Sequence, residues 1–129
     1  KAVISSIANE FHEIGARIIA DSLETNGWSV YYLGANTPLE DLIDLLIAKK
    51  PVLVGFSVSM PFNISNLNKA IKKIKARPEL DDVKILLGGK VFNDNPGLWR
   101  KTGADDWAKD CQATVEVAES WLKERDKNG

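Results

Sequence analysis

Short apolar, β-branched runs alternate along the chain with stretches in which apolar residues recur every three or four positions. Ala2 to Ala8 (AVISSIA) predicts a first strand. Gly15 to Glu24 carries Ile18, Ile19 and Leu23 at helical spacing, and Gly27 marks the end of that helix. Trp28 to Leu33 (WSVYYL) predicts a second strand. Thr37, Pro38 and Glu40 supply a capping hydroxyl, a first-turn proline and a capping-box acid for a helix running through Leu42, Ile43, Leu46 and Ile47. Val52 to Ser57 (VLVGFS) is nearly all apolar, as a central strand covered on both faces requires.

The second half repeats the rhythm. A helix is predicted from Ser65 to Ala76 and a fourth strand from Val83 to Leu87, stopped by Gly88-Gly89. Asn95-Pro96 opens a short helix ending near Gly103, Asp106 to Ala108 reads as a short fifth strand, and Thr114 to Arg125 as a final helix. Strict alternation of five strands and five helices predicts an α/β fold, a doubly wound five-stranded parallel sheet of the flavodoxin-like (Rossmann-like) kind. No linker or repeat interrupts it, so residues 1–129 read as one domain. In such sheets the ligand-binding loops lie beyond the carboxyl ends of the strands. The unusual residues fall there: Asn9 to Gly15, Gly34 to Asn36, Ser57 to Asn63, and Gly88 to Phe92.

Composition narrows the function classes. With 129 residues, 44% hydrophobic and 27% charged, the chain has the make-up of a globular domain. Its formal charge of −1 gives no support to direct nucleic-acid binding. The cluster of Lys69, Lys72, Lys73, Lys75 and Arg77 reads as the wet face of an amphipathic helix. No apolar stretch approaches a membrane span, and the lone Cys111 fits a reducing, cytoplasmic setting better than a disulfide framework. The chain starts at Lys1 without a methionine, as a domain cut from a longer protein would.

Three loops carry candidate chemistry. The first holds His12, the only histidine, where the fold binds its ligands. A lone loop histidine is weak evidence, but Glu10, two residues away, can fix its tautomer and make the other nitrogen a better metal ligand. Gly15 lets the helix end approach a bulky ligand. The third loop offers the hydroxyls of Ser57 and Ser59, with Met60 beside them; its hydroxyls serve equally to satisfy loose backbone groups. Adjacent Gly88 and Gly89 after a buried strand suggest a flat group lying on bare backbone, or a tight turn. No set of nucleophile, base and acid is visible, so a binding module is expected rather than a catalyst. Cys111 and the aromatic residues Phe62, Trp99 and Trp107 read as packing; Trp121 reads as core or an interface with a missing domain.

Taken together these loops resemble the cobalamin-binding domains of methionine synthase, corrinoid methyl carriers and base-off mutases. The family pattern is Asp-x-His-x-x-Gly, Ser-x-Leu and Gly-Gly after strands one, three and four. Here the sites read Glu10-x-His12-x-x-Gly15, Ser57-x-Ser59 and Gly88-Gly89. The resemblance implies that cobalamin, in its adenosyl, methyl or hydroxo form, sheds its own base and takes His12 as lower cobalt ligand. Glu10 would bond to His12, Ser57 would contact the benzimidazole nitrogen, and Gly88 with Gly89 would leave room for the nucleotide tail. Ser59 in place of leucine alters the lining of the tail slot.

Glu-x-His-x-x-Gly, with Gly27-Trp28, Leu33 to Pro38, Ser57 to Asn63 and Gly103-Ala104-Asp105, is similar to the sensory, light-responsive branch of that family. The expectation is a ligand-holding module acting through partners, including a helical cap or output domain outside this chain. A methyl carrier of a methyltransferase system is the alternative. A phosphoacceptor receiver of similar fold fits poorly, because the third strand ends in Ser57 and not in aspartate.

Overall fold

The computed structural model describes residues 1–6, 14–33, 38–58 and 64–128. Five strands, β1 (Ala2–Ser6), β2 (Val30–Leu33), β3 (Leu53–Ser57), β4 (Lys84–Gly88) and β5 (Asp106–Trp107), form one parallel sheet in the order β2-β1-β3-β4-β5. Helices α1 (Ile14–Thr25), α2 (Leu39–Lys49), α3 (Ile64–Lys75), α4 (Lys90–Asp94) and α5 (Cys111–Asn128) connect and cover them. The predicted doubly wound sheet is therefore present. Its strand order reverses between β1 and β3, and in this topology that switch point is where ligands bind.

Alternation along the strands sorts the core into two layers. Val3, Val54, Phe56, Ile85 and Leu87 face one way and pack with Leu42, Leu46, Leu67 and Ile71 of α2 and α3. Ala2, Ile4 and Leu53 face the other way and pack with Ala16, Ala20 and Leu23 of α1 and Ala118 of α5. The basic cluster behaves as expected: Lys69, Lys72, Lys73, Lys75 and Arg77 are exposed, while Leu67, Ala70, Ile71 and Ile74 are buried.

Several boundaries move for identifiable reasons. Strand β2 starts at Val30 and not Trp28, because α1 ends in a six-residue C-cap. Trp28 N–H donates to Leu23 O at 3.0 Å and Gly27 N–H to Glu24 O at 3.0 Å, with Gly27 at φ +90°. The Trp28 indole is then free to donate to Glu119 Oε1 of α5 at 3.1 Å. Helix α2 starts at Leu39, which puts Pro38 at the cap position rather than in the first turn; Thr37 lies outside the described residues. Helix α4 is unforeseen, and the helix predicted from Asn95 to near Gly103 is instead a 3-10 turn at Pro96–Lys101. Helix α5 begins at Cys111, three residues early, because the Asp110 carboxylate accepts the Ala113 N–H at 2.8 Å as an N-cap.

The two-residue strand β5 is held by a side chain. Asp105 Oδ2 accepts the Ile85 N–H at 2.7 Å, and the Lys75 ammonium lies 3.1 Å from the same carboxylate. Removing this acceptor leaves a part-buried backbone donor without its partner. Asp105→Ala is expected to destabilise by about 1–3 kcal/mol. Lys75→Met, which breaks only a largely exposed ion pair, is expected to cost less than about 1 kcal/mol. Urea unfolding of the two variants checks the ranking.

Candidate functional site

The site follows from which strand residues lack bulk. On β3 the alternation that turns Leu53 toward α1 and α5 turns Gly55 and Ser57 the same way. On β4 the same face receives Leu86 and Gly88, and Ser57 and Gly88 are register partners. Small residues at the carboxyl ends of two central strands leave a slot beneath the helices. Its cavity volume is only about 10 Å³, and it is lined by Ile4, Ile19, Gly55, Ser57, Gly88 and Thr114, among others. Ser57 is 3% exposed and Thr114 2% exposed, so the slot runs into the interior.

Outside the slot lies an open groove of about 400 Å³, bordered by Ile18, Gly89, Lys90, Lys109 and Cys111. Groove and slot share Ile19 and Ser57, so one leads into the other. Asn93 Nδ2 donates to Lys109 O at 3.1 Å, tying α4 to the segment after β5 along the groove. Ile18, half exposed, is a large apolar side chain left in solvent at its rim.

The two adjacent glycines do different work. At Gly88 an added Cβ would meet Ala108 O at 3.5 Å and Ile19 Cδ1 at 3.8 Å, ordinary contacts. At Gly89 it would fall 2.4 Å from Val58 O and 2.7 Å from Val58 N. Gly89 also holds φ 107° and ψ 171°, a region essentially reserved for glycine. Val58 N–H donates to Gly88 O at 3.0 Å, and Val91 N–H to Val58 O at 3.3 Å. Gly89 therefore serves the fold by letting β4 turn into α4 against bare backbone, whereas Gly88 keeps space open.

Of the residues singled out in the sequence, the structure brings together Ser57, Gly88 and Gly89. Gly15 lies in the first turn of α1. Glu10, His12, Ser59 and Met60 lie outside the described residues. They belong to the segments that follow β1 and β3, which flank the switch point. Sequence reasoning missed Gly55, Ile19 and Thr114. A glycine inside an apolar strand is a recognised sign of close approach, so Gly55 was findable. Ile19 and Thr114 were not, since nothing in helical spacing separates a slot wall from ordinary core.

A family model for the B12 binding domain matches residues 1–116. The chain belongs to that family. Its ligand is cobalamin, a cobalt-holding corrin with a nucleotide tail. Among curated proteins the chain is similar to dimethylamine corrinoid protein 3 of Methanosarcina mazei, at 25% identity over 93% of this chain and 71% of that one. It is similar also to the trimethylamine corrinoid protein of Methanosarcina barkeri, at 29% identity over 89% of this chain and 54% of that one. Most of the curated relatives it matches are thus nearly twice as long as the aligned part. Among solved structures, a cobalamin-binding protein from Desulfitobacterium hafniense superposes with a TM-score of 0.85 at 24% identity, over 93% of this chain and 58% of that one. A response-regulator receiver domain from Geobacillus stearothermophilus reaches only 0.64, at 16% identity, over 98% of this chain and 96% of that one. Both likenesses speak for the fold alone.

The slot suits a cobalamin tail in chemistry, being apolar and floored by glycines. It is narrow as it stands, with room for about one water. Ile4 is what narrows it: its Cδ1 lies only 2.8 Å from where a Gly55 Cβ would sit, in the volume that Gly55 vacates. A tail would have to displace the Ile4 and Ile19 side chains to enter.

The glycine contacts separate fold from ligand. Gly88→Ala is expected to leave stability within about 1 kcal/mol of the parent while weakening cobalamin binding. Gly89→Ala is expected to lose more than about 1–3 kcal/mol, the cost of backbone strain alone before the clash with Val58 is added. Thermal unfolding paired with cobalamin titration checks both; a Gly89→Ala protein as stable as the parent would refute the strain argument.

Proposed function

We propose that the chain is the corrinoid-holding domain of a methyl-transfer system and binds cobalamin base-off, with the nucleotide tail in the slot beneath α1 and α5. The slot at the β1/β3 switch point, opened by Gly55, Ser57 and Gly88, carries this reading. In it, His12 would ligate the cobalt and Glu10 would accept the hydrogen bond of the other imidazole nitrogen. Gly15 lets α1 approach the corrin, and Ser59 and Met60 border the tail where it leaves the ring. Ser57 donates its hydroxyl to the benzimidazole nitrogen. The bound corrinoid supplies a cobalt able to take up and give up a methyl group. The chain itself binds, orients the ring and shields the tail, while the acceptor chemistry belongs to a methyltransferase partner.

The names of the methylamine corrinoid relatives support a carrier over a sensor. The sensory reading rests on loop wording, and one described part of it, Gly103-Ala104-Asp105, has a structural duty: Asp105 anchors β5 to β4. A helical domain over the upper corrin face, from the rest of a longer protein, belongs to the same proposal.

His12→Ala is expected to abolish the imidazole nitrogen coupling in the electron paramagnetic resonance spectrum of the cobalt(II) form. Glu10→Gln is expected to cost roughly 10–100-fold in affinity at most, because it alters a hydrogen bond and not the ligand. An unchanged spectrum in His12→Ala would remove His12 from the cobalt. Carrier and sensor separate in the intact protein. The carrier transfers methyl groups with an added methyltransferase, and its assembly is unchanged when the adenosylcobalamin form is illuminated. Light-driven change of assembly without methyl transfer would favour the sensor.

A further inference from the structure

We propose that the slot selects corrinoids by the polarity of the base ending the nucleotide tail, accepting benzimidazole or phenolic bases and rejecting purines. This rests on the reading that the tail enters the slot. The walls reached by side chains are apolar: Ile4 from β1, Ile19 from α1 and Leu86 from β4. Gly55 and Gly88 offer only backbone, and both lie in the sheet ladder, paired with Ile4 and Leu86 and with Ser57 respectively. Among the described lining residues, two side chains carry polar atoms, Ser57 and Thr114. Thr114 already donates its hydroxyl proton to Asp110 O at 2.9 Å, which leaves it only as an acceptor.

Those two hydroxyls match one kind of base. A benzimidazole brings a single free ring nitrogen, an acceptor that one Ser57 hydroxyl satisfies. A phenolic base, joined through its oxygen, brings none. An adenine brings three ring nitrogens and an amino group, more than Ser57 and the Thr114 lone pair can serve together. Water has little way to follow, since Ile4, Leu86, Ser57 and Thr114 are each no more than 3% exposed. The surplus polar groups of the purine would be buried unpaired, and each such group weakens binding by about 5- to 150-fold.

The test is a binding titration, read by absorbance or calorimetry, of the protein with four corrinoids. These are cobalamin, a phenol-based cobamide, an adenine-based cobamide, and cobinamide, which lacks the tail. Both the phenolic and the dimethylbenzimidazole forms are expected to bind at least about 10-fold more tightly than the adenine form. Their agreement matters, because cresol is smaller than adenine and dimethylbenzimidazole is not, so size cannot produce it. Detachment from cobalt cannot produce it either, since adenine is the weaker cobalt ligand of the two nitrogen bases and comes off more readily. Ser57→Ala is expected to weaken cobalamin while leaving the phenolic form unchanged. An adenine form that binds as tightly as the phenolic one, with cobinamide weaker than both, would overturn the selectivity and leave the tail slot standing. Cobinamide equal to all three, or no binding of any, would overturn the slot and the selectivity together.

Discussion

The whole binding region depends on one close approach, that of Gly89 to the peptide of Val58. With no Cβ in the way, the backbone leaving β4 folds over the end of β3, and Val58 exchanges hydrogen bonds with Gly88 and Val91. That contact fixes where β4 stops and where α4 begins. It also sets Ser57 and Gly88 side by side at the carboxyl edge of the sheet. A side chain at Gly89 would push α4 outward and take with it the tie from Asn93 to Lys109. The groove keeps its shape because a glycine keeps the turn.

The slot removes packing from the α1/α5 face, and the opposite face makes up the difference. There Val54, Phe56, Ile85, Leu87 and Phe92 build the larger buried cluster with α2 and α3. The α1/α5 layer relies more on small residues, Ala16, Ala20 and Ala118, and on polar ties such as the Trp28 indole to Glu119. A domain that must admit a bulky tail is better served by one firm layer and one adjustable layer than by two equal ones.

Much of this was legible in the sequence because the fold is written in long, periodic segments. The nearly all-apolar Val52 to Ser57 gave a central strand, and the glycines after Leu87 gave its neighbour's end. What escaped was set by hydrogen bonds that leave weak sequence signals. Helix α4 has only Val91 and Phe92 as apolar residues, adjacent and too few to show a period. Trp28 is apolar and β-prone, yet it serves as the last residue of a helix cap. Asp105, part of a string that resembled a sensory branch, turned out to anchor β5. At the site, Ser57, Gly88 and Gly89 could be named because polar and missing side chains stand out against an apolar strand. Ile19 and Thr114 could not, because a slot wall and a core residue share the same chemistry and differ only in what lies across from them.

The placement of the two proposed handholds also bears on affinity. The segment that carries His12 follows β1 in sequence, and the slot, lined from β1, β3, β4 and the helices, lies beside the same switch point. A ligand long enough to reach both is held at two places on one rigid sheet. Once one end is engaged, the other binds at the high effective concentration that a short connection provides. Neither contact then has to be strong by itself. Under the proposed binding mode a single imidazole bond to cobalt and a mostly apolar slot would suffice together, and the other face of the ring would be left free for a methyltransferase partner.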